Sequence, residues 1–251
     1  MARQEPPPPQ SLCCHYTHGA KGTATGIIAT TMPSAAAADL PTSSEPIEVR
    51  LHGLCKAFGR RRVIKDIQVS VCSGATLAIA GPNGSGKSTL IKMIGGLLHP
   101  DAGSADVVRG RVRLDPRERR RLIGWVAPEI GLYPSLTGPE HLALFGRLRG
   151  IRLSVNDARD LMTDVGLRAR LRDPVRTYSS GMKQRLRFAC AILHQPPLLL
   201  LDEPFATLDA EGVGIVREIV RRQRECGITV VAGNDDRELQ MGDTRLVLGV
   251  N

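Results

Sequence analysis

The sequence predicts an α/β fold, a mostly parallel sheet flanked by helices, with a helical insertion subdomain and a small antiparallel β part. Three observations predict it. A glycine-rich loop, Gly81 to Gly86, stands between a short apolar run and a helical stripe. A second apolar run, Leu198 to Leu201, ends in Asp202 and Glu203. From Ile47 onward, segments of strand-like and helix-like periodicity alternate, which is the pattern of a largely parallel sheet covered on both faces.

The elements follow in order. Residues 1–45 hold four consecutive prolines, Pro6 to Pro9, and an alanine run, Ala35 to Ala38, with Ser, Thr and Gly between them, so they are expected to form a disordered tail. The tail lacks the contiguous apolar core of a signal peptide. Met32 is a candidate start residue, which intact mass of the native protein would decide. Cys13, Cys14, His15 and His18 have no second pair to close a tetrahedral metal site, so no metal is assigned to them.

Order is expected over 46–251. Ile47, Val49 and Leu51 alternate with Glu48 and Arg50 as a strand would, as do Ile67, Val69 and Val71. Ser73 and Gly74 turn the chain into Thr76 to Ala80, a buried strand. After the loop, Leu90, Ile91, Ile94, Leu97 and Leu98 form a helical stripe expected to end at His99 and Pro100. Residues 117–175, rich in Arg and Leu and broken by Pro134 and Pro139, read as the helical subdomain. Leu186, Ala189, Cys190 and Leu193 mark a further helix, and Glu211 to Cys226 another. Ile228 to Ala232 and Leu246 to Val250 are the last strand candidates.

Composition sets the outer bounds. The chain has 251 residues, 42% of them apolar, with 34 Lys and Arg against 25 Asp and Glu for a net charge of +9. That suits one domain, or one domain and a tail, with a proper core. Pro82, Pro196, Pro197 and Pro204 interrupt the apolar stretches well short of the about 18 residues a bilayer-spanning helix needs. Six cysteines without a CxxC spacing indicate neither a disulfide framework nor a zinc site, and fit a reducing compartment. An aromatic share of 3% argues against a stacking surface for single-stranded nucleic acid. Arg117, Arg119, Arg120 and Arg121, like Arg221, Arg222 and Arg224, read as solvated helix faces.

Chemistry concentrates in two places. Gly81-Pro82-Asn83-Gly84-Ser85-Gly86-Lys87-Ser88-Thr89 fits the phosphate-loop pattern in the strand-to-helix context that the pattern requires. Its glycines let successive backbone N–H groups turn toward phosphate, the helix N-terminus adds partial positive charge, Lys87 reaches the β and γ oxygens, and Ser88 ligates Mg²⁺. Asp202 then stands where a parallel strand ends, placed to hold the magnesium shell, and Glu203 is placed to polarise an attacking water as general base.

Tyr178-Ser179-Ser180-Gly181-Met182-Lys183-Gln184-Arg185 resembles the signature motif of ABC ATPases, and Asp209 in Ala206-Thr207-Leu208-Asp209 resembles their D-loop. With the phosphate loop and the Leu198 to Glu203 segment, these motifs stand in family order over about residues 47–251. The resemblance implies ATP and Mg²⁺ as cofactors and two ATPase subunits packed head to tail. Ser179 and Gly181 of one subunit would cap the phosphates held by Lys87 of the other. The second subunit could be a like or an unlike chain. Phe58 resembles the aromatic that stacks on adenine, against the plain alternative of a buried core phenylalanine.

Two departures stand out. Pro128, in Val126-Ala127-Pro128-Glu129, occupies the place where the family carries a glutamine, and Asn234 occupies that of the switch histidine. An asparagine can donate to a γ-phosphate oxygen but cannot shuttle a proton. The resemblance therefore implies a catalytic pair, Glu203 and Asn234, with slow hydrolysis. It implies separate transmembrane permease subunits as partners and a cytoplasmic location on the inner face of the cell membrane. The segments quoted look most similar to the ATPase of the cytochrome c maturation haem exporter and to ABC-2 type exporter ATPases, so export is expected. The alternatives are a regulatory or scaffold subunit that binds ATP with little turnover, separated by ATP-dependent dimerisation without phosphate release, and a soluble ABC ATPase acting on nucleic acid, separated by salt-sensitive nucleic-acid binding. No nucleic acid is expected as partner.

Overall fold

The computed structural model describes residues 45–249. The expected tail, its start at Met32 and the Cys13 to His18 group lie outside the described residues. Two sheets organise the rest. The strands β1 (Ile47–Phe58), β2 (Arg61–Cys72), β4 (Ala102–Arg109) and β5 (Val112–Arg113) form an antiparallel sheet in the order β2-β1-β4-β5. A parallel sheet takes the order β6-β7-β8-β3-β9, from β3 (Thr76–Ala80), β6 (Ile123–Val126), β7 (Leu198–Asp202), β8 (Ile228–Gly233) and β9 (Thr244–Val247). The helices are α1 (Lys87–Ile94), α2 (Pro116–Leu122), α3 (Gly138–Leu148), α4 (Val155–Asp164), α5 (Ser180–Ile192), α6 (Ala210–Gln223) and the short α7 (Asp236–Leu239).

The strands β3, β7 and β8 are buried at every position, and successive residues serve opposite cores. Leu198 and Leu200 join α1 and the antiparallel sheet in one cluster. Leu199 and Leu201 join α3, α4, α5 and α6 in the other. A strand covered on both faces must be apolar throughout, which is why the leucine run reads without alternation. In register, Asp202 lies beside Ala232 and Ala80 beside Gly233, so the ends of β7, β8 and β3 are aligned at one edge of the sheet. The candidate residues Asp202, Glu203 and Asn234 and the loop after Ala80 follow these strand ends.

Several boundaries differ from the sequence expectation, each for a local reason. The α1 helix stops at Ile94 rather than near His99, because Gly95 forms its C-cap and Gly96 takes φ +69°. Leu97, a member of the predicted stripe, is 43% exposed as a result. The segment read as the helical subdomain contains β6, which pairs in parallel with β7 through Ile123–Leu198 and Val126–Leu201. The helical part that follows is α3 and α4. The last strand runs over Thr244–Val247 where Leu246–Val250 is expected, Val250 lying outside the described residues, and the Leu248 N–H bonds the Ala80 carbonyl at 2.8 Å. The strands β4 and β5 carry too little alternation to have been singled out.

The arginine faces need correction too. Arg119 is only 4% exposed, and its guanidinium donates to the carbonyls of Met93 at 3.3 Å and Ile94 at 3.1 Å, while Arg120 donates to that of Gly96 at 2.9 Å. The final carbonyls of α1 have no acceptor role within the helix, and cations beside them also offset the helix dipole. Arg221 and Arg222, by contrast, pair with Glu218 at the surface.

His194, just beyond α5, gives the fold an acid sensitivity. Its Nε2 lies 3.1 Å from the Ile123 carbonyl, which also accepts from Arg149 at 3.1 Å. Burial, reinforced by the Arg149 charge, pushes the imidazole down to about 3, from 6.5. The unfolded chain therefore binds the proton first as pH falls, so stability present above 6.5 is lost between there and about 3. By pH 4 the loss is roughly 3 kcal/mol. Melting temperature measured against pH should fall less steeply over this interval in His194→Gln than in the natural protein; equal slopes would remove His194 from the account.

Candidate functional site

The loop from Gly81 to Gly86 connects the end of β3 to the start of α1, and its three glycines all have positive φ: +150° at Gly81, +77° at Gly84 and +105° at Gly86. A side chain at Gly81 would meet the Leu248 carbonyl oxygen at 2.6 Å, and one at Gly86 would meet Val63 Cγ1 at 2.6 Å. The loop is therefore wrapped closely by β2 and by the chain after β9. Arg61 donates to the Gly84 carbonyl at 3.0 Å, joining the β1–β2 hairpin to the loop. Phe58, at the end of β1, is 52% exposed with the Lys56 ammonium 5.6 Å from its ring centroid, so the buried-core alternative does not hold.

Ser85 is buried within the loop and Lys87 is buried as the first residue of α1, where Ser88 and Thr89 follow it. The Lys87 ammonium donates to the carbonyls of Gly81 at 2.7 Å and Pro82 at 3.1 Å, and to Oδ1 of Asn234 at 2.7 Å. Asn234, the first residue past β8, donates in turn to Oδ1 of Asn83. The structure thus brings Asn83, Lys87 and Asn234 into one network.

Asp202 is 3% exposed. Burial raises its carboxyl above the usual range; a hydrogen bond from Ser88 opposes the rise, and the charges of Glu129 and Glu203 add to it. Its Oδ1 is buried with no hydrogen-bond partner, as is the Ser85 hydroxyl. A buried carboxylate beside two more acids is disfavoured unless a cation joins it. The Ser88 hydroxyl and the Asp202 carboxylate with its orphaned oxygen are therefore a donor pair of the all-oxygen kind that suits Mg²⁺, and the glycine cradle suits a polyphosphate.

Glu203 sits in the left-handed region at φ +49°, and its N–H bonds the Ala232 carbonyl at 2.8 Å. A non-glycine residue held there stores on the order of 1–3 kcal/mol. The strained residue stands one position past the strand.

Ser179 caps α5 by accepting the Met182 N–H at 3.2 Å, and Gly181 lies where a Cβ would be 3.0 Å from the Thr207 carbonyl. Asp209 caps α6 by accepting the Gly212 N–H at 2.8 Å. These contacts run among the signature and D-loop segments themselves, and none of them reaches the phosphate loop.

Four contributors carry no assigned role in the sequence. Glu129 rather than Pro128 supplies the polar group beside β6: it pairs with Lys92 of α1 at 2.8 Å, and its charge acts on Asp202. Its identity as an acid next to a proline was the available signal. Gln184 is buried and donates to the Pro204 carbonyl at 3.2 Å, and Arg187 reaches the Ile130 carbonyl at 2.8 Å, so α5 is fastened to both segments that flank the site. Glu238 is buried and accepts the Phe205 N–H at 2.9 Å; burial raises its carboxyl, and the charges of Asp235 and Glu203 add to the rise. It ties the chain after Glu203 to the chain after Asn234.

Among the described residues no group of acids, histidines and cysteines forms a separate metal cluster, and no helix is long and apolar enough to cross a membrane.

Comparison with known proteins agrees with this architecture. Residues 64–206 match the family model described as ABC transporter. The chain is 36% identical to the linearmycin resistance ATP-binding protein LnrL of Bacillus subtilis, over 70% of this chain and 57% of that one. It is 36% identical to the daunorubicin/doxorubicin resistance ATP-binding protein DrrA of Streptomyces peucetius, over 73% of this chain and 56% of the relative. The chain thus spans less than two thirds of the length of these resistance proteins. It spans 78% of the lantibiotic transport ATP-binding protein SrtF of Streptococcus pyogenes, at 33% identity over 73% of its own length. Among solved structures, an ATP-binding subunit of an ABC transporter superposes with a TM-score of 0.68 at 31% identity, covering 80% of this chain and 85% of that one. A bacterial ABC transporter cassette, solved as a dimer, superposes with a TM-score of 0.70 at 26% identity, covering 80% and 94%. With its phosphate loop, its acid-tipped β7 and the Ser179 cap of its signature segment on α5, the chain belongs to the ABC transporter family as an ATP-binding domain.

Proposed function

We propose that this chain is the ATP-hydrolysing subunit of an ABC exporter and works as one of a pair beneath transmembrane permease subunits on the inner face of the cell membrane. The observation that carries the reading is the buried Asp202 carboxylate, one oxygen of it unpartnered, beside Ser88 of the helix that follows the phosphate loop. The names of the resistance and lantibiotic relatives support export. They favour an ABC-2 type exporter of drug-like or peptide cargo over the haem exporter and cytochrome c biogenesis.

Bound ATP and Mg²⁺ would supply the transferable phosphoryl group and the charge that neutralises it. The backbone of Gly81 to Gly86 would cradle the phosphates, Lys87 would grip the β and γ oxygens, and Ser88 and Asp202 would hold the metal. Glu203 would orient the attacking water and draw its proton. Asn234 would donate to the γ-phosphate from the next strand end but accept no proton, so turnover is slow. Phe58, exposed beside the Gly84 loop, would stack on adenine. Ser179, Gly181 and Asp209, which face their own neighbours and not their own phosphate loop, would serve the partner subunit's nucleotide.

The test is ATP affinity with and without Mg²⁺. The natural protein should bind more tightly with the metal, and Asp202→Asn should keep the metal-free affinity while losing that gain. Because the buried acid is disfavoured when ionised, Asp202→Asn should also melt no lower than the natural protein in metal-free buffer. Metal-independent ATP binding by the natural protein would sink the proposal.

A further inference from the structure

Lys87 already has a full set of partners. An ammonium has three N–H donors and no acceptor, and here it meets three oxygens, those of Gly81, Pro82 and Asn234. A phosphate oxygen can gain a hydrogen bond from Lys87 only if one of these gives way. Gly81 and Pro82 offer backbone carbonyls of the same tight loop, and the Pro82 carbonyl is also fixed by accepting the Ser85 N–H at 3.1 Å. Asn234 offers an exposed side chain that can turn about two bonds. Its contact is the exchangeable one.

The amide is also held in the competing orientation. Only its oxygen can face an ammonium, so its NH₂ faces away, and that NH₂ donates to Oδ1 of Asn83. A protonated histidine at this position would have no acceptor for Lys87 and would repel it.

We propose that Asn234 is a latch on Lys87, its amide oxygen competing with the nucleotide's β-phosphate for the lysine's third N–H and Asn83 keeping it in place. This rests on the ATP-binding reading of the site and adds a sign to it. A residue that only donated to the γ-phosphate would strengthen ATP binding and leave ADP binding alone. A latch weakens both.

The experiment is calorimetric binding of ADP and of ATP to the full chain and to its Asn234→Ala and Asn83→Ala variants. Asn234→Ala should bind ADP about fivefold more tightly, the effect of removing one competing hydrogen bond. Asn83→Ala, which leaves the oxygen but frees the amide to turn, should shift ADP affinity the same way by less. ADP affinity unchanged or weakened in Asn234→Ala overturns the latch. A natural protein that binds neither nucleotide overturns instead the reading on which the latch rests.

Discussion

Phosphate release by Glu203→Gln is expected to fall roughly 10²- to 10⁴-fold, the range associated with loss of a positioned general base, with ATP affinity unchanged. The substitution keeps size and shape but removes the group that can accept a proton. It leaves the strained φ of +49° and the bond to Ala232 in place, so the neighbouring Asp202 keeps its geometry. Nothing that grips phosphate is touched. Because the nucleotide then persists, the variant should also accumulate as an ATP-dependent dimer, visible by size-exclusion chromatography. Initial-rate assays on the same preparations check the first expectation. A rate equal to that of the natural protein would mean that its own turnover does not pass through Glu203, and the chain would be better described as a nucleotide-gated scaffold.

The site was legible in the sequence where its chemistry is local. Gly81 to Thr89 and Leu198 to Glu203 each place their working groups within a few residues, so spacing alone brings them near one another, and parallel topology aligns the two strand ends. The contributors that stayed hidden act through pairs distant in sequence. Arg119 is one arginine among four until the carbonyls of Met93 and Ile94 claim it. Glu129 gains meaning only from Lys92 on α1, and Glu238 only from Phe205. Fold boundaries failed where periodicity outlasted the backbone. Leu97 and Leu98 continue the apolar stripe of α1, yet two glycines end the helix before them, and both N–H groups turn back to the Lys92 carbonyl. Side-chain pattern and backbone preference are separate signals, and there the second prevailed.

The same separation gives the other large effect, because the glycines of the phosphate loop differ in what a side chain would meet. At Gly84 an added Cβ has only the far end of the Arg61 side chain near it, at 3.6 Å. Alanine there bears the cost of φ +77° alone, on the order of 1–2 kcal/mol. At Gly86 the Cβ would lie 2.6 Å from Val63 Cγ1 and 2.9 Å from Ile64 Cδ1, at φ +105°. Val63 and Ile64 belong to β2 and pack in the core that includes α1, so relief means moving the start of α1, and Lys87 with it. ATP affinity should fall at least 100-fold in Gly86→Ala but no more than about 30-fold in Gly84→Ala, each 1.4 kcal/mol being a factor of ten. Calorimetric titration of both variants, with circular dichroism to confirm that each is folded, decides it. Equal losses would show that strain alone governs the loop; an ordinary affinity in Gly86→Ala would show that β2 yields, and that the cradle does not depend on the antiparallel sheet pressed against it.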